Sequence, residues 1–337
     1  MNRIIRTICV FADAVTQHEV DLLNTITDLL QHNHFTVQTR RICLSRYHAE
    51  VDEELINEHK LMVGFGSLSR TEFAKIFPHF LTTHQKRLTL NLTHGEISRD
   101  DIEPLFAMIR QRPESTFGFA FGFNLPVSSP FFPSATFGQR GFSIGLQATD
   151  LAEGSQTREA WFSAMKTTWD ELDRLLSPFQ EYLGIDSSVA PLHSGPSSLI
   201  HYVRQLGLSF SHSTTTDFYT SISSFIKTHN PRPIGLCGLM FPCLEDFELA
   251  EEYEGGNFSI ERNLFLSLHC GLGIDTYPIG IDQEQGRVLE IARLTQQLSK
   301  RFHKPLTIRL VSDGKATIGM RSNYGNTYLK DVIIRPL

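Results

Sequence analysis

The sequence predicts an α/β protein: a parallel sheet, closed or open, with helices on its outside. Two observations carry this. Between Ile4 and Arg112, short apolar extended segments alternate with helical ones. The composition is that of a soluble globular chain, 41% hydrophobic and 20% charged over 337 residues. That length suits one large domain or two smaller ones. No internal repeat and no low-complexity linker interrupts it, so one domain over residues 1–337 is expected.

Ile4 to Phe11 reads as the first strand. Thr16 with Glu19 forms a capping-box pattern that opens a helix to Asn33, with Val20, Leu23, Ile26 or Thr27, and Leu30 on its apolar face. Phe35 to Leu44 is a second strand, Val51 to His59 a short helix, and Lys60 to Gly66 a short buried strand. Ser69 with Glu72 caps another helix. Leu88 to Leu92 is a strand, and Ser98 opens a helix to Arg112. In residues 117–123 (FGFAFGF) strand geometry puts Phe117, Phe119, Phe121 and Phe123 on one face. Gly118, Ala120 and Gly122 fall on the other, leaving room for a close approach to the backbone. The loop from Asn124 to Pro133 is stiffened by three prolines. Phe142 to Leu146 is the next strand. Ser155 to Leu183 is helical, with Trp161, Met165, Trp169, Leu172 and Leu176 as a packing stripe. Gly184 to Pro191 is a strand and its exit loop. A helix over 216–228, a helix over 283–301, a strand from Pro305 to Val311 and a last strand from Thr327 to Ile334 complete the order.

Net charge is -6 and there is no basic run, which argues against nucleic acid as the main partner. No stretch is long and apolar enough to span a bilayer. The N-terminus MNRIIRTICVF reads as a strand, not a signal peptide. The five cysteines (Cys9, Cys43, Cys237, Cys243 and Cys270) are odd in number and widely spread. They favour a reducing compartment over a disulfide framework, so a cytoplasmic location is expected.

Chemically capable groups concentrate in residues 233–282. Leu264-Phe265-Leu266 runs into His269-Cys270-Gly271-Leu272-Gly273, a thiol between a histidine and a glycine-flanked turn. Such a thiol can be exposed and activated, or it can be a small core residue. Cys270 is therefore a candidate nucleophile or thiol relay, with His269 or a nearby carboxylate as its base. Asp275 and Asp282 are candidate ligands for a divalent cation such as Mg or Ca, since carboxylates suit hard cations. Glu245, Asp246, Asp186, Asn124, Arg309 and Lys315 are candidate substrate contacts. For Asp186 the alternative is a carboxylate that satisfies backbone amides in a turn, and for Lys315 a solvated charge. HExxH, paired CxxC, Walker and GxSxG motifs are absent from the sequence, and Gly271-Leu272-Gly273 lacks the third glycine of a dinucleotide fingerprint.

GLMFPCLEDFELA (238–250) and HCGLGIDTYPIGID (269–282) resemble the family called domain of unknown function 711, near uncharacterised protein family 210. NLPVSSPFFPSA (124–135), FSIGLQATDLA (142–152), GIDSSVAP (184–191), KPLTIRL (304–310) and VQTRRI (37–42) extend the resemblance over nearly the whole chain. Gly280-Ile281 stands where relatives carry Pro-Gly. The family is similar in fold to glycyl-radical enzymes such as pyruvate formate-lyase. That resemblance implies a barrel-like sheet of about ten strands wrapped by helices, with Cys270 on or near a central finger loop. Nothing near Gly314, Gly319 or Gly325 matches a glycyl-radical segment, so no stored radical is expected. Three functions stay open: an enzyme acting on a small polar metabolite near Cys270, a non-catalytic metabolite sensor on the same fold, or a structural homo-oligomer.

Overall fold

The computed structural model describes residues 3–46, 51–82 and 86–337. Its framework is a ten-stranded mixed sheet. The strands are β1 Ile4–Ala12, β2 Thr36–Val37, β3 Arg40–Leu44, β4 Met62–Leu68, β5 Lys86–Asn91, β6 Phe119–Phe123, β7 Gly141–Leu146, β8 Tyr182–Asp186, β9 Gly273–Pro278 and β10 Leu306–Val311. The helices are α1 Gln17–His32, α2 Glu53–Glu58, α3 Arg70–Phe80, α4 Arg99–Gln111, α5 Arg158–Leu176, α6 Leu199–Gln205, α7 Phe210–Ser213, α8 Phe218–Thr228, α9 Phe247–Glu254, α10 Ile260–His269 and α11 Gln285–Phe302. None of the described helices is long and apolar enough to cross a membrane.

The hydrogen-bonded path runs β8-β7-β1-β3-β4-β5-β6-β10-β9, with β2 attached to β1. From β1 to β6 along this path every pairing is parallel, as the early alternation of strands and helices predicts. Direction reverses at β1–β7 and again at β6–β10. Beyond those seams β8 runs parallel to β7 and β9 parallel to β10.

The strands do not close into the barrel that the family resemblance implies. The path ends at β8 on one side and β9 on the other. Residues 233–242 span the gap only through isolated bridges: Ile185 to Pro233, Val189 and Gly271 each to Leu239, and Asp275 to Pro242. The local sequence explains why no regular strand forms. Pro233 and Pro242 have no N–H to give a ladder. Gly235 and Cys237 take positive φ, 75° and 42°, which breaks the extended run.

Local signals set most helix starts. Thr16/Glu19, Ser69/Glu72 and Ser98/Asp101 form capping boxes before α1, α3 and α4. The stripe Trp161, Met165, Trp169, Leu172 and Leu176 on α5 is buried. That helix stops at Leu176 instead of reaching Leu183, because Pro178 follows its C-cap Ser177. The strand expected over 327–334 is no more than one isolated bridge, Arg321 to Ile333. Residues 233–282 are less loop-like than their glycines suggest, since they contain α9 and α10.

The two faces of β6 behave differently. Phe119, Phe121 and Phe123 are buried on the helix side, where the Phe73 ring of α3 lies 5.6 Å from that of Phe119. Phe117 leaves this row, because Pro113–Gly118 forms a 3-10 helix. On the other side of the sheet, residues 124–137 cross the strands. The Thr7 hydroxyl on β1 and Arg41 on β3 donate to the Pro130 carbonyl at 3.5 and 3.1 Å. Thr89 on β5 donates to Pro133 at 3.0 Å, and Ser143 on β7 donates to Ser128 at 2.8 Å. The Phe132 ring lies against Gly64 of β4 and the Phe131 ring against Gly145 of β7. A Cβ at those glycines would sit 2.8 and 2.7 Å from ring carbons. The loop thus touches five neighbouring strands, β7, β1, β3, β4 and β5.

Candidate functional site

A cavity of about 80 Å³ lies between this loop and the face of the sheet that it crosses. Such a volume holds several water molecules or a small ligand. Four arginines line it: Arg6 from β1, Arg41 from β3, Arg87 from β5 and Arg309 from β10. Arg6 reaches the interior beside Thr7 because the β1–β7 register shifts between Ile5 and Thr7, and a bulge re-aims side chains. Two carboxylates face the same space, Glu245 and Asp275.

Charge is unevenly paired here. Arg309 donates to Asp275 at 2.6 Å and to Glu245 at 2.9 Å. Burial opposes its charge, but the two carboxylates outweigh burial and push its pKa up. Arg6 meets the other Glu245 oxygen at 3.4 Å. Arg41 has no carboxylate partner among the described residues; it donates to the Thr39 hydroxyl at 3.1 Å and to the Pro130 carbonyl. Arg87 donates to the Lys86 carbonyl at 2.9 Å and likewise has no carboxylate partner among the described residues. Burial pulls the Arg41 guanidinium down to about 9, with Arg6 adding to the effect, and pulls Arg87 down to about 10, with Arg309 adding. A guanidinium keeps its proton at neutral pH, so these depressions measure the cost of holding unpaired charge out of water.

The cavity walls are apolar and aromatic: Phe117, Phe131, Phe132, Met240 and Leu272. The Arg41 guanidinium lies 5.0 Å from the Phe132 ring centroid. Those of Arg87 and Arg309 lie 5.8 and 5.2 Å from Phe117. Apolar walls with a few convergent charges describe a small-molecule pocket.

Three of the residues singled out from the sequence meet in this cavity: Glu245, Asp275 and Arg309. The others lie elsewhere. Asp186 is fully buried and accepts from the Ser129 hydroxyl, from both the hydroxyl and the amide of Ser188, and from the amides of Leu236 and Cys237. It ties the central loop and residues 233–242 to the end of β8. Asp246 caps α9 and accepts from Ser198, Leu199 and Leu249. Asn124 donates to Ser299. Asp282 accepts from the Ile318 amide, and Lys315 is exposed next to Asp313. Among the described residues no group of three or more His, Cys, Asp or Glu is arranged to hold a metal ion.

Cys270 follows the last turn of α10, outside the loop that crosses the sheet. It is 1% exposed, and its thiol donates to the Leu266 carbonyl at 3.3 Å. Burial pushes the thiol up to about 12, against the pull of Lys304. His269 points the other way; it is exposed and packs edge-on against Phe265. A shallow depression passes over His269 and Cys270, and it shares no residue with the cavity. The base and the low pKa that a nucleophilic thiol requires are therefore both missing from this geometry. Iodoacetamide is expected to label Cys270 in the native protein no faster than Cys9, with rapid labelling only after unfolding. Fast native labelling, followed by mass spectrometry of the peptides, would restore a reactive thiol.

Asp246 supplies a pH dependence. Burial pushes its carboxyl up to about 7, against the Ser198 hydroxyl that pulls it down. Between its ordinary value near 4 and about 7, the folded protein keeps a proton that the unfolded chain has released. Stability therefore falls as pH rises through that window. Asp246→Asn is expected to flatten the slope, as read from urea midpoints at about pH 5 and about pH 8.

Arg6, Arg41 and Arg87 are the cavity-lining charges that sequence reasoning missed. The available signal was an arginine inside an otherwise apolar strand, as in RIIRTICVF and TRRICL. Comparison with curated proteins finds no match. The family model described as "Uncharacterised ACR (DUF711)" matches residues 105–320, which carry five of the ten strands, β6 to β10, and the residues Glu245, Asp275 and Arg309. With more than half of its length matched, the chain belongs to the DUF711 family.

Proposed function

We propose that this protein binds a small anionic metabolite in the interior cavity and acts on it as an enzyme. The observation that carries the reading is the pair Arg41 and Arg87, two guanidiniums facing a cavity with no carboxylate partner among the described residues. Unpaired buried charge costs stability, and an anion in the cavity removes that cost. Glu245 and Asp275 are the groups positioned to hold or move a proton on the bound molecule. Arg309 holds both of these carboxylates, which favours a second reading: binding without turnover, as in a metabolite sensor.

Two further readings go with this one. The loop over 124–137 takes the place of the finger loop in glycyl-radical enzymes, without a cysteine on it. Five parallel strands facing a second set of the opposite direction support that resemblance. We also read the chain as one domain, because a single sheet collects strands from Ile4 to Val311, and as cytoplasmic, because its five cysteines are free thiols.

The test is thermal unfolding against a panel of anionic, neutral and cationic metabolites, with compound consumption followed in the same samples. Stabilisation by anions alone is expected, about 2.7 kcal/mol at a hundredfold excess over Kd. Consumption of the stabilising compound marks the enzyme; stabilisation without it marks the sensor. A panel in which no anion stabilises the protein would end both.

A further inference from the structure

The four cavity arginines form two pairs. Arg6 and Arg41 are linked through Thr39, whose hydroxyl donates to the Arg6 carbonyl at 2.7 Å and accepts from Arg41 at 3.1 Å. Arg87 and Arg309 gather at the Phe117 ring, 5.8 and 5.2 Å from its centroid. The backbone keeps the pairs apart. Arg41 of β3 is level with Met62 of β4, whereas Arg87 of β5 is level with Gly64. Two strand spacings and two residues along the strand place their Cα atoms roughly 11–12 Å apart. The Phe132 ring stands over Gly64, between them.

Glu245 spans the two pairs. One of its oxygens takes Arg309 at 2.9 Å, and the other faces Arg6 at 3.4 Å. In each pair, therefore, one arginine is held by a protein carboxylate and the other is not. Four guanidiniums against two carboxylates leave two positive charges, one in each pair of arginines.

We infer that the ligand is a two-ended dianion: a short chain with an acidic group at each end, one received by Arg41 and the other by Arg87. This deepens the anion-binding reading above and rests on it. The protein supplies one unmatched cation per end, so the ligand supplies one anion per end. The middle of the ligand then passes Glu245 and Asp275, the groups available for proton transfer. A lone phosphate or sulfate would satisfy one end and leave the other guanidinium unpaired.

Titration calorimetry on the full chain separates these cases. The probes are the dicarboxylates from malonate to adipate, the half-amide of each, and inorganic phosphate. At least one dicarboxylate is expected to bind roughly tenfold or more tightly than its own half-amide, the value of one charged contact. In Arg87→Gln, and separately in Arg41→Gln, that gap should close. The comparison on the unaltered protein stands even if a variant fails to fold. Equal binding of dicarboxylate and half-amide, or tight binding of phosphate alone, would overturn the two-ended ligand and leave the anion site standing. Binding of no anion at all would remove the site itself.

Discussion

Arg309→Met is expected to destabilise the protein by roughly 3–5 kcal/mol, the cost of breaking a buried ion pair from one side. Arg309 is the hinge of the cavity's charge arrangement, holding Asp275 at 2.6 Å and Glu245 at 2.9 Å. The side chains of Arg309, Glu245 and Asp275 are 8%, 8% and 16% exposed, so solvent does little to screen what is left. After the change Asp275 loses its ion-pair partner, and Glu245 keeps only Arg6 at 3.4 Å. Neutralising the orphans should return most of the loss: Arg309→Met with Glu245→Gln and Asp275→Asn is expected to unfold near the parent's urea midpoint. A single variant as stable as the parent would mean that water reaches these carboxylates freely.

Arg41→Met is expected to act in the opposite direction on the ligand-free protein. Its charge is buried beside Arg6 without a carboxylate, so removing it relieves a cost. The lost bonds to Thr39 and Pro130 offset part of the gain. A net stabilisation of roughly 1–2 kcal/mol remains, together with loss of anion-dependent stabilisation. Arg87→Met should behave alike, since its one hydrogen bond within the described residues goes to the neighbouring Lys86 carbonyl. Gain of stability with loss of binding is the signature of a residue retained for function. Thermal melts with and without the best-binding anion read both effects at once. If both variants melt lower than the parent, the two arginines are structural ties for the central loop.

Much of the fold could be read from local pattern. Capping boxes and apolar spacing place α1, α3 and α4, and the row Phe119, Phe121, Phe123 announces a strand with one greasy face. Pairing across the seams could not be read, because antiparallel β1–β7 and β6–β10 contacts join residues more than a hundred positions apart. The site divides the same way. Asp275 and Arg309 stand out as single charges in the apolar runs GLGIDTYPIG and PLTIRLV, and Glu245 lies in a run that matches the family. Whether Arg6, Arg41 and Arg87 face inward depends on a bulge in β1 and on a loop that arrives from residues 124–137. Cys270 misled for a related reason. Its sequence neighbours suggest an activated thiol, but the end of α10 turns the sulfur into the core and His269 out to solvent.

The most direct measurement is a crystal structure of the protein purified without added ligand, with density inspected between Arg41, Arg87 and Phe132. The account predicts density for a small acidic molecule that touches both guanidiniums, or for buffer anions standing in for its two ends. Arg41 and Arg87 turned onto protein carbonyls, with only water in the cavity after soaking in the anions that score best by melting, would contradict it.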